Sequence, residues 1–142
     1  MIKEAYCSYE VAKLLKEKGF NEKCRGAYHS EFDDNDNPIV TLEKWMAQPY
    51  NNDFEDETLL CSAPTQQMVM AWLRQKNISI EPSALNAHSW AYTIYKLLNN
   101  KVKELYNDGG FDSYEEAVEA ALKYYLENLF DYGSTREDLC SC

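Results

Sequence analysis

Five cysteines and two histidines are the side chains of this 142-residue chain best suited to nucleophilic or metal chemistry. A Cys–His nucleophile would draw on Cys7, Cys24 or Cys61 with His29 or His88, because a neighbouring imidazole raises the thiolate fraction. No flanking motif favours any of these pairings, and each cysteine reads better as a small buried apolar residue. Cys140 and Cys142 are separated by a single residue, closer than the roughly two to four of a zinc knuckle, and no second ligand pair stands near them. In the run DDNDN, Asp33, Asn35 and Asn37 fall at the first, third and fifth positions of a calcium loop. Pro38 stands where that loop needs glycine, and Lys44 takes the place of its bidentate glutamate, with Glu43 one residue out of register. An acidic hairpin turn is the better reading. His29 reads as a satisfied strand histidine and His88 as a loop residue. Phosphate loops, nucleophile elbows and metalloprotease motifs are missing from the sequence. No catalytic, cofactor-binding or metal residue is therefore assigned, and no cofactor is expected.

The formal charge is −10, from 14 Lys and Arg against 24 Asp and Glu. Neutralising phosphates needs a basic face, so nucleic acid is a disfavoured partner. The arginines are Arg25, Arg74 and Arg136, and Lys96, Lys101 and Lys103 form the one local concentration of positive charge. An acidic surface serves solubility, or it meets a protein partner with a basic surface. The candidate partner-binding residues for the second role are Trp45, Tyr50 and Phe54, interleaved with Asp53, Glu55, Asp56 and Glu57. They lie in the stretch 43–63, which has no firm period and reads as a long loop or a loop around one short strand, and long loops of that kind are often contact surfaces. The alternative is that these aromatics anchor the loop to the domain. With no apolar run near 18 residues a spanning helix is not expected. The opening MIKEAYCSYE lacks the apolar core of a signal peptide, and the odd cysteine count suits reduced thiols. The expected location is cytoplasmic.

These side chains must be positioned by a small set of elements, of which the clearest is SYEEAVEAALKYYLENLF, residues 113–130. Ser113 and Glu116 have capping-box spacing, Glu115 and Glu116 suit the positive end of the helix dipole, and Glu119 precedes Lys123 in the favourable i, i+4 order. An apolar stripe from Tyr114 to Phe130 predicts burial, and Ala117, Ala120 and Ala121 permit close approach to a sheet. A first helix is predicted over 8–18, with Ser8 as N-cap and Val11, Leu14 and Leu15 inward; Gly19 and Phe20 give it a Schellman ending. A second spans 65–76, with Met68, Val69, Trp72 and Leu73 inward, Gln66 and Gln67 outward, and Asn77 as a left-handed cap. Residues 27–32 and 38–42 read as a hairpin, 78–80 and 89–98 as strands, and 101–106 as a return strand after the Asn99–Asn100 turn. The stretches 81–88 and Asn107–Gly110 read as turns. The order α-β-β-α-β-β-β-α makes an α+β fold, an antiparallel sheet of about five strands covered by three amphipathic helices. Residues 1–132 form a single domain in this reading, followed by a polar, mobile tail over 133–142. Met70 and Tyr124, on helix flanks, fit either a two-fold homodimer interface or ordinary surface residues.

The opening SYEVAKLLKEKGF faintly resembles the first helix of excisionase-type winged-helix proteins, but KCRGAYHSEF follows where a basic recognition helix should stand. Together with APTQQMVMAWLR and FDSYEEAVEAALKYYLENL, that opening resembles a group of short proteins of Bacteroides-type gut bacteria and their phages or mobile elements. The resemblance covers the three helices and implies an intracellular accessory protein, with no activity to transfer. Three functions follow as expectations. The first is a non-enzymatic interaction module, accessory or regulatory, binding a protein partner. The second is a small-ligand binder or small enzyme with a site between sheet and the 43–63 loop. The third is a nucleic-acid module.

Overall fold

The computed structural model describes residues 3–44 and 59–132. Its elements run α1 (Tyr9–Glu17), β1 (Gly26–Phe32), β2 (Pro38–Lys44), β3 (Leu59–Ser62), α2 (Gln66–Arg74), β4 (Ile78–Asn86), β5 (Ser89–Leu97), β6 (Val102–Phe111) and α3 (Tyr114–Tyr124). The fold is α+β, with three helices as expected. The strands differ: among the described residues six, in two antiparallel three-stranded sheets of order β2-β1-β3 and β4-β5-β6, stand where one sheet of about five is expected. Each sheet forms by antiparallel pairing of its own three strands, β1–β3 before α2 in sequence and β4–β6 after it. The strand added to the expected order is β3, the one short strand that the stretch 43–63 left open as an alternative to a plain loop; at four residues it is too short to show a period. The chain groups into two compact units, Met1–Thr65 and Gln66–Cys142.

In the first unit the Ser8 hydroxyl accepts from the Val11 N–H at 3.2 Å, capping α1. Gly19 adopts φ 91°, and the Phe20 and Gly19 N–H groups donate to Leu15 and Lys16 carbonyls at 2.9 and 3.2 Å, completing the Schellman ending. Val11, Ala12 and Leu15 form the buried face, while Leu14, expected inward, is only half-buried. The Lys16 ammonium ties α1 to β3 through the Leu60 carbonyl at 2.7 Å. Ala12, Tyr28, Cys61 and Ala63 make a core cluster flanked by Tyr6 and Tyr9, with the Tyr9 ring edge-on to Tyr28.

In the second unit α3 packs on β4 and β5, and α2 packs on β4. Ala117, Val118, Ala121 and Leu122 are fully buried, as the stripe predicted. The Ser113 hydroxyl accepts from Glu116 N–H at 3.1 Å, and the Glu116 carboxylate reaches back to the N–H of Asp112, one residue earlier than the usual box. Asn77 takes φ 65°, the left-handed cap expected after α2. Gln66, expected outward, is buried because its amide donates to the Glu115 carbonyl at 2.9 Å and to the Glu119 carboxylate at 3.3 Å. Met70, expected on a flank, is also buried. Of the two stretches read as turns, Ala87 and His88 do form a turn, while 81–86 and Asn107–Gly110 are strand. Residues 81–86 continue β4 although mostly exposed, so they carry no burial alternation, and register with β5 holds them. Asn107–Gly110 lies inside β6, where Gly110 at φ 87° is the extra residue of a bulge between the pairs Trp90–Phe111 and Ala91–Gly109. The helix expected to run to 130 stays helical to Tyr132 but changes its hydrogen bonding after Tyr124. A wide turn over Tyr125–Leu129 follows, in which the Phe130 N–H bonds the Tyr125 carbonyl, and then a tight turn over Phe130–Tyr132. Among the described residues no helix is long and apolar enough to cross a membrane.

Candidate functional site

The second unit carries an open cleft of about 280 Å³ lined by Tyr92, Asp108, Phe111, Ala120, Lys123, Tyr124, Glu127 and Asn128. Three elements build it. Tyr92 comes from the inward face of β5, where alternation buries Tyr92 and Ile94 together. Asp108 and Phe111 come from β6, on either side of the Gly110 bulge, and bulges re-aim side chains in this way. Ala120, Lys123 and Tyr124 come from the last turns of α3, and Glu127 and Asn128 from the wide turn that follows. Such i→i+5 turns recur at functional sites. The Asn128 amide holds this one by donating to the Tyr124 carbonyl at 3.1 Å.

The walls are aromatic. Tyr124 stacks on Tyr106 with centroids 3.7 Å apart and planes 8° from parallel, and Tyr92 lies 5.6 Å from Phe111 and 6.2 Å from Tyr106. Burial, and then the Asp108 carboxylate and the neighbouring phenols, push the Tyr92 hydroxyl well above its ordinary pKa. Tyr106 is raised for the same reasons, loss of water first and Asp108 next. Both rings therefore stay neutral at physiological pH; Tyr92 lines the cleft, and Tyr106 backs it through its stack with Tyr124. Around them stand two carboxylates, Asp108 and Glu127, and one ammonium, Lys123, which reaches Glu127 at 3.9 Å. Aromatic faces and surplus carboxylate both favour positive charge.

The partner-binding residues expected from sequence, Trp45, Tyr50, Asp53, Phe54, Glu55, Asp56 and Glu57, lie outside the described residues, as do Cys140, Cys142 and the 133–142 tail. Asp33 spends its carboxylate on the hairpin, accepting from the Asn35 and Asn37 N–H groups at 2.9 Å each. Those backbone bonds hold its pKa below the usual value. His29, on β1, meets Thr41 and Glu31 through Nε2 at 2.9 and 2.5 Å and lies 3.4 Å from Glu43 through Nδ1. His88 sits in the β4–β5 turn, its N–H bonded to the Asn86 side chain. β5 and β6 place Lys96 directly opposite Lys103. Among the described residues no three His, Cys, Asp or Glu side chains are grouped to hold a metal.

Cys7, Cys24 and Cys61 are buried thiols. Burial pushes Cys24 and Cys61 up to about 11, with Ser62 opposing the rise at Cys24 and Lys16 opposing it at Cys61. Both thiols are protonated at neutral pH and make poor nucleophiles. Between their unfolded value near 9 and about 11 the folded state holds more protons than the unfolded one, so folding stability falls as pH rises through that window. Peptide-resolved alkylation with iodoacetamide at pH 8 is expected to leave Cys24 and Cys61 unmodified until denaturant is added; rapid labelling of the folded protein would contradict the assignment.

Sequence reasoning missed the cleft because its residues span 92 to 128 and come from three elements. The signals present were the tyrosine density around β5 and β6 and the double glycine beside Asp108. No family model matches the chain, and neither a curated protein nor a solved structure matches it significantly.

Proposed function

We propose that the protein is a non-enzymatic binder of a small organic amine, held in the aromatic cleft of the second unit. The observation that carries this reading is the joint presence of neutral aromatic walls and two carboxylates around one opening. A protonated amine gains from the ring quadrupoles and from Asp108 and Glu127, while its hydrocarbon body covers Phe111 and Ala120. At about 280 Å³ the cleft is slightly smaller than the roughly 300–1,000 Å³ of typical ligand sites, which suits a compact molecule. The site is built from tyrosines and lies between β5, β6 and the end of α3. A ligand-sensing role also suits the accessory setting that the helical resemblance implies.

The test is thermal stabilisation by 2-phenylethylamine and tetramethylammonium, against neutral and anionic analogues of matched size. The cations should raise the melting temperature in a saturable way, because a ligand that binds only the folded state stabilises it by mass action. Asp108→Asn and Glu127→Gln should each reduce the shift, and Tyr124→Ala should abolish it. An equal response to the anionic analogue, or a shift unchanged in all three variants, would overturn the proposal.

A further inference from the structure

β2 is the outer strand of its sheet, and among the described residues nothing pairs with its free edge. Protein edges are usually protected by a bulge, a central charge or a short strand. β2 has none of these three, and the one further protective device it carries, Pro38, is confined to its first residue. It is seven residues long, it pairs with β1 without a register shift from Pro38–Phe32 to Lys44–Gly26, and its two charges stand together at one end. Ile39, Val40 and Leu42 are 38, 42 and 36 % exposed.

We propose that this edge takes a second copy of the chain, β2 against β2, antiparallel and centred on Thr41, so that two three-stranded sheets become one of six. The strand's own pattern selects that register. A two-fold pair of antiparallel strands must place like-facing residues opposite one another, and the centre at Thr41 is the one that uses all seven residues. Val40 then lies opposite Leu42 of the second copy, twice by symmetry, so exposed apolar side chains cover each other. Lys44 of each copy comes opposite Pro38 of the other, beside the turn that carries Asp33, Asp34 and Asp36. Ile39 comes opposite Glu43, the one unfavourable pairing, but no like charges face each other, and a lysine meets an acidic turn at both ends.

Sedimentation equilibrium across a concentration series tests this. The wild-type chain should approach twice its 16.5 kDa mass. Val40→Lys and Leu42→Glu should each weaken association by about tenfold or more, since each sets a charge against an apolar side chain. The double variant V40K/L42E should recover it, because this register alone sets the introduced ammonium opposite the introduced carboxylate. Melting curves establish that each variant is folded. Independently, Thr41→Cys should oxidise to a reducible covalent dimer, because directly opposed strand residues have Cα atoms about 4.5–5.5 Å apart, within disulfide reach. A wild-type chain that stays monomeric throughout, or a double variant no stronger than the singles, would overturn the proposal.

Discussion

Leu122→Ala is expected to lower the unfolding free energy by about 2–5 kcal/mol, read from urea denaturation. Leu122 is fully buried on the face of α3 that packs on β4 and β5, beside the fully buried Val118, Ala121 and Leu126. Truncation removes the transfer energy of the deleted carbons and leaves a cavity between helix and sheet. Relaxation into that space is restricted, because α3 is fixed at its start by the Ser113–Glu116 cap and along its side by the Gln66 amide. Domains of this size have only about 5–15 kcal/mol in total, so the loss should be visible as a large fall in denaturation midpoint. A change below about 1 kcal/mol would mean that this face of α3 is not a packed core.

Gly26→Val is expected to destabilise the first unit by about 1–3 kcal/mol through overpacking. A Cβ at Gly26 would stand 3.1 Å from the Tyr6 ring, 3.2 Å from a Leu42 methyl and 3.3 Å from the Ala63 Cβ. The Leu42 side chain is partly exposed and has room to yield. Ala63 does not, because its Cβ moves only with its backbone, and its N–H is bonded to the Gly26 carbonyl at 2.8 Å. Valine adds two further methyls at the point where β1, β2 and the end of β3 converge. Gly26→Ala should show the same sign with a smaller effect. The readout is near-UV circular dichroism during urea titration, which follows tyrosine packing around Tyr6 and Tyr28; a variant as stable as wild type would show that the convergence is loose.

The helix ends were legible because they depend on residues a few positions apart. Ser8, Gly19 with Phe20, Asn77 and Ser113 with Glu116 each name a local backbone geometry, and the structure places each at a helix end. Strand extents were less legible. The exposed half of β4 has no periodic burial, and Asn107–Gly110 carries turn chemistry that β6 uses for a bulge. The outward reading of Gln66 failed because polarity indicates solvent only when no buried partner waits, and the Glu115 carbonyl and Glu119 supply one. The cleft required long-range information. Tyr92 was readable as inward-facing, but Asp108 beside it and the wide turn that brings Glu127 and Asn128 to the same opening follow from tertiary packing.

The most direct measurement is a titration of isotope-labelled protein with 2-phenylethylamine, following backbone amide shifts at neutral pH, where the amine is protonated. Amine binding in the cleft predicts saturable shifts grouped at Tyr92, Asp108 to Phe111 and Ala120 to Asn128. The same spectra should stay unchanged with the anionic analogue and with the amine added to Tyr124→Ala. Shifts scattered over the surface, or centred away from these residues, would contradict it.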